Sequence, residues 1–267
     1  MGSYVHGYDN REAARLEDQA RTLEALLHAD TGFPQGSRVL EAGCGTGAQT
    51  VALARRSPHA HITAIDMSAS SLQAARARIE SARIGNVDFL QANIFDLNFA
   101  PAHFDHIFLC FVLEHLSDPG AALSALRRLL RPGGTITVIE GDHGSALFHP
   151  DSDAARAAIG CQVELQRRAG GDAMIGRRLH PLLVGAGFGA VRVSPRMVYA
   201  DMTKPELVDG FVRRTFTQMI EGIREPALAA GLMVPEHFDA GLSALRRTAE
   251  TGGVFCYTFF KAVGQAM

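Results

Sequence analysis

The chain has 267 residues, is 47% apolar and carries a formal net charge of −2. That length can bury a full core in one large domain, and the near-neutral charge gives no electrostatic footprint for gripping a phosphate backbone, which excludes nucleic acid as a first partner. Cys44, Cys110, Cys161 and Cys256 are scattered without a Cys-x-x-Cys pair, which argues against a metal site or a disulfide framework and leaves buried free thiols in a reducing compartment as the expectation.

The opening residues 1–8 have neither the basic start nor the apolar core of a secretory signal, and no apolar run is long enough to span a bilayer. A soluble, cytoplasmic protein without membrane contact is expected. Tyr4-Val5-His6-Gly7-Tyr8 is aromatic and glycine-hinged, the composition of a lid that closes over a ligand, with a frayed terminus as the alternative. Asp9-Asn10-Arg11-Glu12 can form a capping box, and Leu16, Ala20, Leu23 and Leu27 follow at spacings of four, three and four, so an amphipathic helix precedes the first strand.

Between Arg38 and Gly141 short apolar runs at 39–42, 62–65, 87–90, 107–112 and 136–139 alternate with helix-period segments, the pattern of a parallel sheet covered on both faces. Leu72, Ala75, Ile79 and Ala82 form one helical stripe, and Leu123, Leu126 and Leu130 form another, ended by Arg131-Pro132-Gly133-Gly134. Helices are expected over 152–169 and 175–185, and a strand over 191–199. Thr203-Lys204-Pro205-Glu206 starts a helix carrying Val208, Phe211, Val212, Phe216, Met219 and Ile223, and Pro235 opens another. Residues 254–260 make the final strand. Two helices between the last two strands exceed what a crossover needs; they form a cap over the ligand site or serve packing alone.

Glu41-Ala42-Gly43-Cys44-Gly45-Thr46-Gly47 lies where the first strand turns into a helix, and its glycines let the backbone bend sharply and approach a ligand. The second strand ends in Asp66, whose carboxylate can accept from both hydroxyls of a ribose. The loop also fits a dinucleotide fingerprint. Three features favour a different cofactor. Glu41 would repel a pyrophosphate but suits an ammonium group; Gln91-Ala92-Asn93-Ile94 places an amide and an apolar side chain where an adenine could lie; and Arg131-Pro132-Gly133-Gly134-Thr135 precedes the fifth strand.

In order and spacing these residues resemble the class I S-adenosylmethionine-dependent methyltransferase family, over 39–139 and more loosely to the final strand. The resemblance implies a Rossmann-like, doubly wound, mostly parallel seven-stranded α/β sheet with an N-terminal lid helix and a helical cap inserted before the last strand. It implies that Glu41, Gly43, Gly45 and Gly47 hold the methionyl part, that Asp66 binds the ribose, and that Met67, Asn93 and Ile94 border the adenine, with Tyr8 closing over the cofactor. Members often carry Asp where this chain has Asn93, whose carbonyl can accept the same hydrogen bond. The domain is expected to run over 1–267, with a lid segment at 1–34, a cofactor-binding core at 35–150, substrate-side helices, strand and cap at 151–252, and the final strand at 253–267.

Ligands of open α/β sheets bind outside the carboxyl ends of the strands. The fourth strand runs into Leu113-Glu114-His115, and the fifth into Glu140-Gly141-Asp142-His143-Gly144. His143 is the first choice for a general base, because imidazole titrates near neutrality and the flanking glycines leave room for a ligand. Asp142 or Glu140 would orient it, and His115 is the competing base. Tyr4, Glu140, Asp142 and Tyr199 are the expected substrate contacts. The expected reaction is methyl transfer from S-adenosyl-L-methionine, leaving S-adenosyl-L-homocysteine, to a small aromatic acceptor. The whole-chain pattern is loosely similar to bacterial natural-product methyltransferases of secondary metabolism, some of which methylate C3 of an indole. O- or N-methylation, a nicotinamide-dependent oxidoreductase and a non-methylating cofactor binder are the alternatives, and a homodimer is left open.

Overall fold

The computed structural model describes residues 10–267, apart from the side chains of residues 10–14, 16 and 17. Strands β1 (Arg38–Ala42), β2 (His61–Asp66), β3 (Val87–Gln91), β4 (Phe104–Cys110), β5 (Leu130–His149), β6 (Phe188–Ala200) and β7 (Val254–Ala266) form one seven-stranded sheet in the order β3-β2-β1-β4-β5-β7-β6. The β1–β2, β2–β3, β1–β4 and β4–β5 pairs are parallel. The strand order reverses between β1 and β4, which is where open α/β sheets leave a crevice at the carboxyl ends of their strands. Glu41 lies opposite both Ala64 and Phe108, and Asp66 opposite Gln91, so the ends of β1, β2 and β4 come level.

The helices are α1 (Asn10–His28), α2 (Ala48–Arg56), α3 (Ala69–Ser81), α4 (Pro119–Arg127), α5 (Asp153–Arg168) and α6 (Leu179–Gly185), with further helical segments between β6 and β7. Side chains satisfy the first free N–H groups at three helix starts: Ser68 accepts from Ser71 N–H, Asp118 from Ala121 N–H and Ser152 from Ala155 N–H. The apolar stripes face inward as their spacing predicts, with Leu72, Ala75 and Ile79 buried on α3 and Leu123 and Leu126 on α4. Leu130 departs from its stripe, because α4 ends at Arg127 and Leu130 is the first residue of β5.

Two strand ends also differ from expectation. β4 stops at Cys110 rather than at 112, because Phe111 takes a positive φ of 59° and Leu113–His115 coils into a 3-10 turn. β5 does not stop at 139 but runs on to His149, so Glu140, Gly141, Asp142 and His143 are strand residues and not a terminal loop.

The chain divides into two compact units. Unit 2 comprises Leu27–Glu140, Ile175–Pro195 and Phe260–Met267. Its core is the aliphatic cluster of Leu40, Ile107, Leu109, Leu123, Val138 and Leu179, among others, with Phe104 and Phe188. Unit 1 comprises the described residues up to Leu26 with Gly141–Met174 and Arg196–Phe259. Its core is aromatic. Phe211, Phe216, Phe255, Tyr257 and Phe259 are all buried, with ring centroids 4.7–6.2 Å apart. In the same unit α5 packs on the helix Pro235–Arg247, where Gly241 leaves space for Ala158.

The helix expected from Thr203 begins at Pro205. Lys204 is its N-cap without a side-chain bond, and Thr203 instead donates to the carboxylate of Asp201. After one α-helical turn, Pro205–Leu207, the segment Val208–Thr217 is π-helical and Gln218–Gly222 returns to α. The buried pairs Gly210/Thr215, Phe211/Phe216 and Val212/Thr217 are five residues apart, the repeat of an i→i+5 helix rather than the 3.6 of an α-helix. Thr215 Oγ1 donates to Gly210 O at 2.8 Å and closes one such turn from the side chain. No described helix is long and apolar enough to cross a membrane.

Candidate active site

In unit 2 the loop between β1 and α2 bends through Gly43, Gly45 and Gly47, at φ values of 79°, 52° and 77°. These are left-handed conformations that side chains other than glycine adopt at a cost. The three glycines do different work. A Cβ on Gly43 would lie 2.6 Å from Val112 Cγ2, and one on Gly47 would lie 3.0 Å from Ala75 Cβ, so both are packing requirements. A Cβ on Gly45 would meet no described atom within 4 Å, so the loop opens there and leaves its backbone approachable. Gly43 N–H and Cys44 N–H both donate to Ile65 O, and Arg78 Nε donates to Thr46 O, which pins the loop to β2 and α3.

Glu41 sits at the base of this loop with 2% of its surface exposed. Its Oε2 has no hydrogen-bond partner among the described residues. Burial pushes its pKa up to about 7, opposed by the Thr50 side chain and reinforced by the Asp66 carboxylate. A buried carboxylate in this state favours a cationic hydrogen-bond donor, which would draw it back to the charged form. The ammonium of a methionyl group fits that requirement.

Asp66 closes β2 as expected. Its Oδ2 accepts from Gly45 N–H and its Oδ1 from Ser68 N–H, both at 2.9 Å, so the carboxylate is aimed by the loop. Each oxygen keeps a second lone pair for a ribose hydroxyl. Met67 beside it is half exposed, and its carbonyl accepts from Gln91 Nε2. Asn93 Oδ1 accepts from Phe95 N–H at 3.0 Å, so the amide forms a local turn and only one carbonyl lone pair is left for an adenine. Ile94 is buried in the unit 2 core.

Glu140 also belongs to unit 2, and its place differs from that of a partner to His143. It is fully buried, and Oε1 accepts from Val112 N–H at 3.0 Å and Leu113 N–H at 2.7 Å. It therefore anchors the turn after β4. Burial and the nearby Glu114 charge hold its carboxyl well above the usual range. His115 lies in that turn, partly exposed, with Nε2 3.7 Å from Glu114 Oε1.

In unit 1, His143 is buried on β5, and its backbone N–H donates to Ala173 O. The group that meets its ring is one the sequence reading missed, Tyr257, whose hydroxyl lies 2.6 Å from Nδ1. The space expected beside Gly141 for a ligand is filled, since a Cβ there would run into the Tyr257 hydroxyl. Asp142 Oδ1 accepts from Gly144 N–H, a bond within the strand. Tyr199 is exposed on the face of β6 opposite buried Val198 and Ala200, with Lys204 Nζ 5.1 Å from its ring centroid. Tyr4 and Tyr8 lie outside the described residues. A signal for Tyr257 was present: a tyrosine between Phe255 and Phe259 on one strand face needs a partner for its hydroxyl.

Residues 39–134 match a family model described as a methyltransferase domain. The chain is 38% identical over 144 residues to an O-methyltransferase, rstn1, of Aspergillus nomiae, a match covering 52% of this chain and 64% of that one. It is 31% identical over 231 residues to an uncharacterized 37.1 kDa protein from a Streptomyces fradiae transposon, covering 84% and 64% respectively. The chain thus spans less than two thirds of the length of these relatives. Phosphoethanolamine N-methyltransferase 2 of Haemonchus contortus, solved with phosphomonomethylethanolamine and S-adenosylhomocysteine, superposes with a TM-score of 0.57 at 18% identity, over 96% of this chain and 58% of that one. At that identity the likeness is one of fold. The glycine loop, the strand order and the matched stretch agree, and residues 39–134 form a methyltransferase domain.

Proposed function

We propose that this chain transfers the methyl group of S-adenosyl-L-methionine to a small aromatic acceptor, releasing S-adenosyl-L-homocysteine. The observation that carries the reading is Glu41: a buried carboxylate with an unpartnered oxygen, at the foot of a loop that opens only at Gly45. Glu41 takes the ammonium of the methionyl group, Asp66 the ribose hydroxyls, and Met67, Asn93 and Ile94 border the adenine. When bound, the cofactor supplies an electrophilic methyl carbon on a sulfonium sulfur. What remains for the protein is to orient the nucleophile and exclude water.

O–H and N–H acceptors and the C3 carbon of an indole are separated by one experiment. The protein is incubated with methyl-labelled cofactor and a panel of phenols, aromatic amines and indoles, and the labelled atom is located by NMR. Label on a ring-bearing product supports the reading. Calorimetric binding of NAD, with no response to S-adenosylmethionine or S-adenosylhomocysteine, would overturn it.

A further inference from the structure

The turn after β4 is built on a strained residue. Phe111 takes a left-handed φ of 59°, a region that side chains other than glycine occupy at a cost and only where their surroundings hold them there. The end of β5 supplies the hold. Phe111 N–H donates to Ile139 O at 2.9 Å, and the next two N–H groups, of Val112 and Leu113, both donate to Glu140 Oε1 at 3.0 and 2.7 Å. Three successive amides are thus gathered by two adjacent residues of one strand. Ile139 contributes backbone, which is present whatever its side chain, so Glu140 is the side chain on which the turn depends.

The same turn meets the glycine loop. Val112 fills the space that Gly43 leaves by having no side chain: a Cβ on Gly43 would lie 2.6 Å from Val112 Cγ2 and 3.0 Å from Cγ1. Val112 and Leu113 are also buried in one aliphatic cluster with Leu40 and Ala42 of β1, the strand that leads into the loop. A path of direct contacts therefore runs from Glu140 through the turn to the foot of the loop, entirely inside unit 2. Close-packed interiors transmit a displacement of this kind.

We propose that Glu140 is a positioning residue for the cofactor loop: its Oε1 fixes the left-handed turn, and the turn seats Val112 against Gly43, so that Glu41 and Gly45 keep the placement that S-adenosylmethionine requires. Glu140 acts on the cofactor through the turn. Its meaning for the reaction rests on the methyl-transfer reading, in which the loop holds the methionyl group, whereas its hold on the loop does not.

Two measurements test this: calorimetric titration with S-adenosylhomocysteine, and proton–nitrogen NMR of the Gly43, Cys44 and Gly45 amides in the protein without cofactor. Glu140→Leu keeps the bulk and removes the acceptor, and Glu140→Asp is one methylene short of the two N–H groups. Either should shift the loop amides and weaken binding roughly tenfold. Glu140→Gln keeps an oxygen that can accept from Val112 and Leu113, and should restore most of the affinity and of the loop spectrum. Val112→Ala breaks the path one step further on, so adding Glu140→Leu to it should weaken binding by less than about twofold more. Independent, multiplying losses in the double variant would overturn the path through Val112. A role in stability alone would make affinity follow Tm across the variants and leave the loop amides unmoved, and that result would overturn the proposal. So would a folded Glu140→Asp that binds as tightly as the unaltered protein. If the unaltered protein binds neither S-adenosylhomocysteine nor S-adenosylmethionine while its loop amides still respond to Glu140→Asp, the methyl-transfer reading falls and the hold of Glu140 on the loop stands.

Discussion

Glu41 is neutral over much of the pH range in which ordinary glutamates are charged, and that has a measurable sign. Burial pushes its pKa up to about 7 in the folded chain, against about 4.3 for an ordinary glutamate. Between those values the folded state binds the extra proton and the unfolded state does not, so the stabilisation present below the unfolded value is lost as pH rises through the folded one. The loss is about 4 kcal/mol, from 1.36 kcal/mol per unit. Urea unfolding at about pH 5 and pH 8 should show this drop in the unaltered protein and a correspondingly smaller one in Glu41→Gln. Cofactor binding runs the other way, because an ammonium favours the charged carboxylate. Affinity for S-adenosylmethionine should therefore weaken about tenfold per unit below pH 7 and lose that dependence in Glu41→Gln. Asp66 acts at the same scale through geometry. Asp66→Ala removes the acceptor of Gly45 N–H and Ser68 N–H as well as the expected ribose contact. Charged hydrogen bonds are worth about 1.5–3 kcal/mol, so calorimetry should show a loss of affinity of roughly ten- to a hundredfold. The places of both residues were legible in the sequence, because each lies at or next to the end of a strand beside the glycine loop. Tyr257 was not, since its partner stands 114 positions away and no local motif joins them.

Among the elements, the parallel strands were readable because each is a short apolar run bounded by turn residues. β5 was misread because Gly141 and Gly144 look like a strand end. Burial explains the difference: Gly141 sits inside the strand to admit a tyrosine hydroxyl, so a glycine that signals a loop locally here signals close packing. The π-helix was hidden for a related reason. Val208, Phe211, Val212, Phe216 and Met219 suit an α-helical stripe nearly as well as a five-residue repeat, and only the burial of Gly210 with Thr215 and of Val212 with Thr217 decides between them. Gly210 tests this element. A Cβ there would run into Thr22 Oγ1 on α1, within the same unit. Gly210→Ala should cost about 1–3 kcal/mol through overpacking. At 2–4 °C per kcal/mol that lowers Tm by roughly 2–10 °C. Thr22→Ala in the same chain should restore most of the loss, because the two substitutions share one contact and will not add. Additive losses in calorimetric unfolding would show that the segment is not held by this contact.

At the scale of the whole molecule, a parallel sheet covered on both faces was legible from alternation and its doubly wound order from the family resemblance, while the division into two units was not legible, because each unit is assembled from stretches far apart in the chain. Contacts between distant positions carry that assembly, and Lys261 is the clearest within unit 2. It continues the buried alternation of β7, where a lysine is unexpected, with 3% of its surface exposed. Its ammonium donates to Leu27 O at 3.3 Å, Asp30 Oδ1 at 2.7 Å and Thr31 Oγ1 at 2.5 Å, joining the end of α1 and the turn after it to the last strand, some 230 residues on. Closing so long a stretch of chain is entropically unfavourable, and a charged donor with several acceptors offsets part of that cost. The three acceptors differ in what they lose when the ammonium goes. Asp30 is more than half exposed and returns to water, whereas Leu27 O and Thr31 Oγ1 are left without their cation. Lys261→Met keeps the aliphatic stem and removes the donor, so it should cost about 2–3 kcal/mol. The same scaling gives a fall in Tm of roughly 5–10 °C. Asp30→Asn should cost under about 1 kcal/mol, because that partner is solvated. Neither change touches the glycine loop, Glu41 or Asp66, so calorimetry should find the affinity for S-adenosylmethionine unchanged in both. A fall in affinity that tracks the fall in Tm would mean that the junction of α1 with β7 shapes the cofactor loop as well as the stability of the unit.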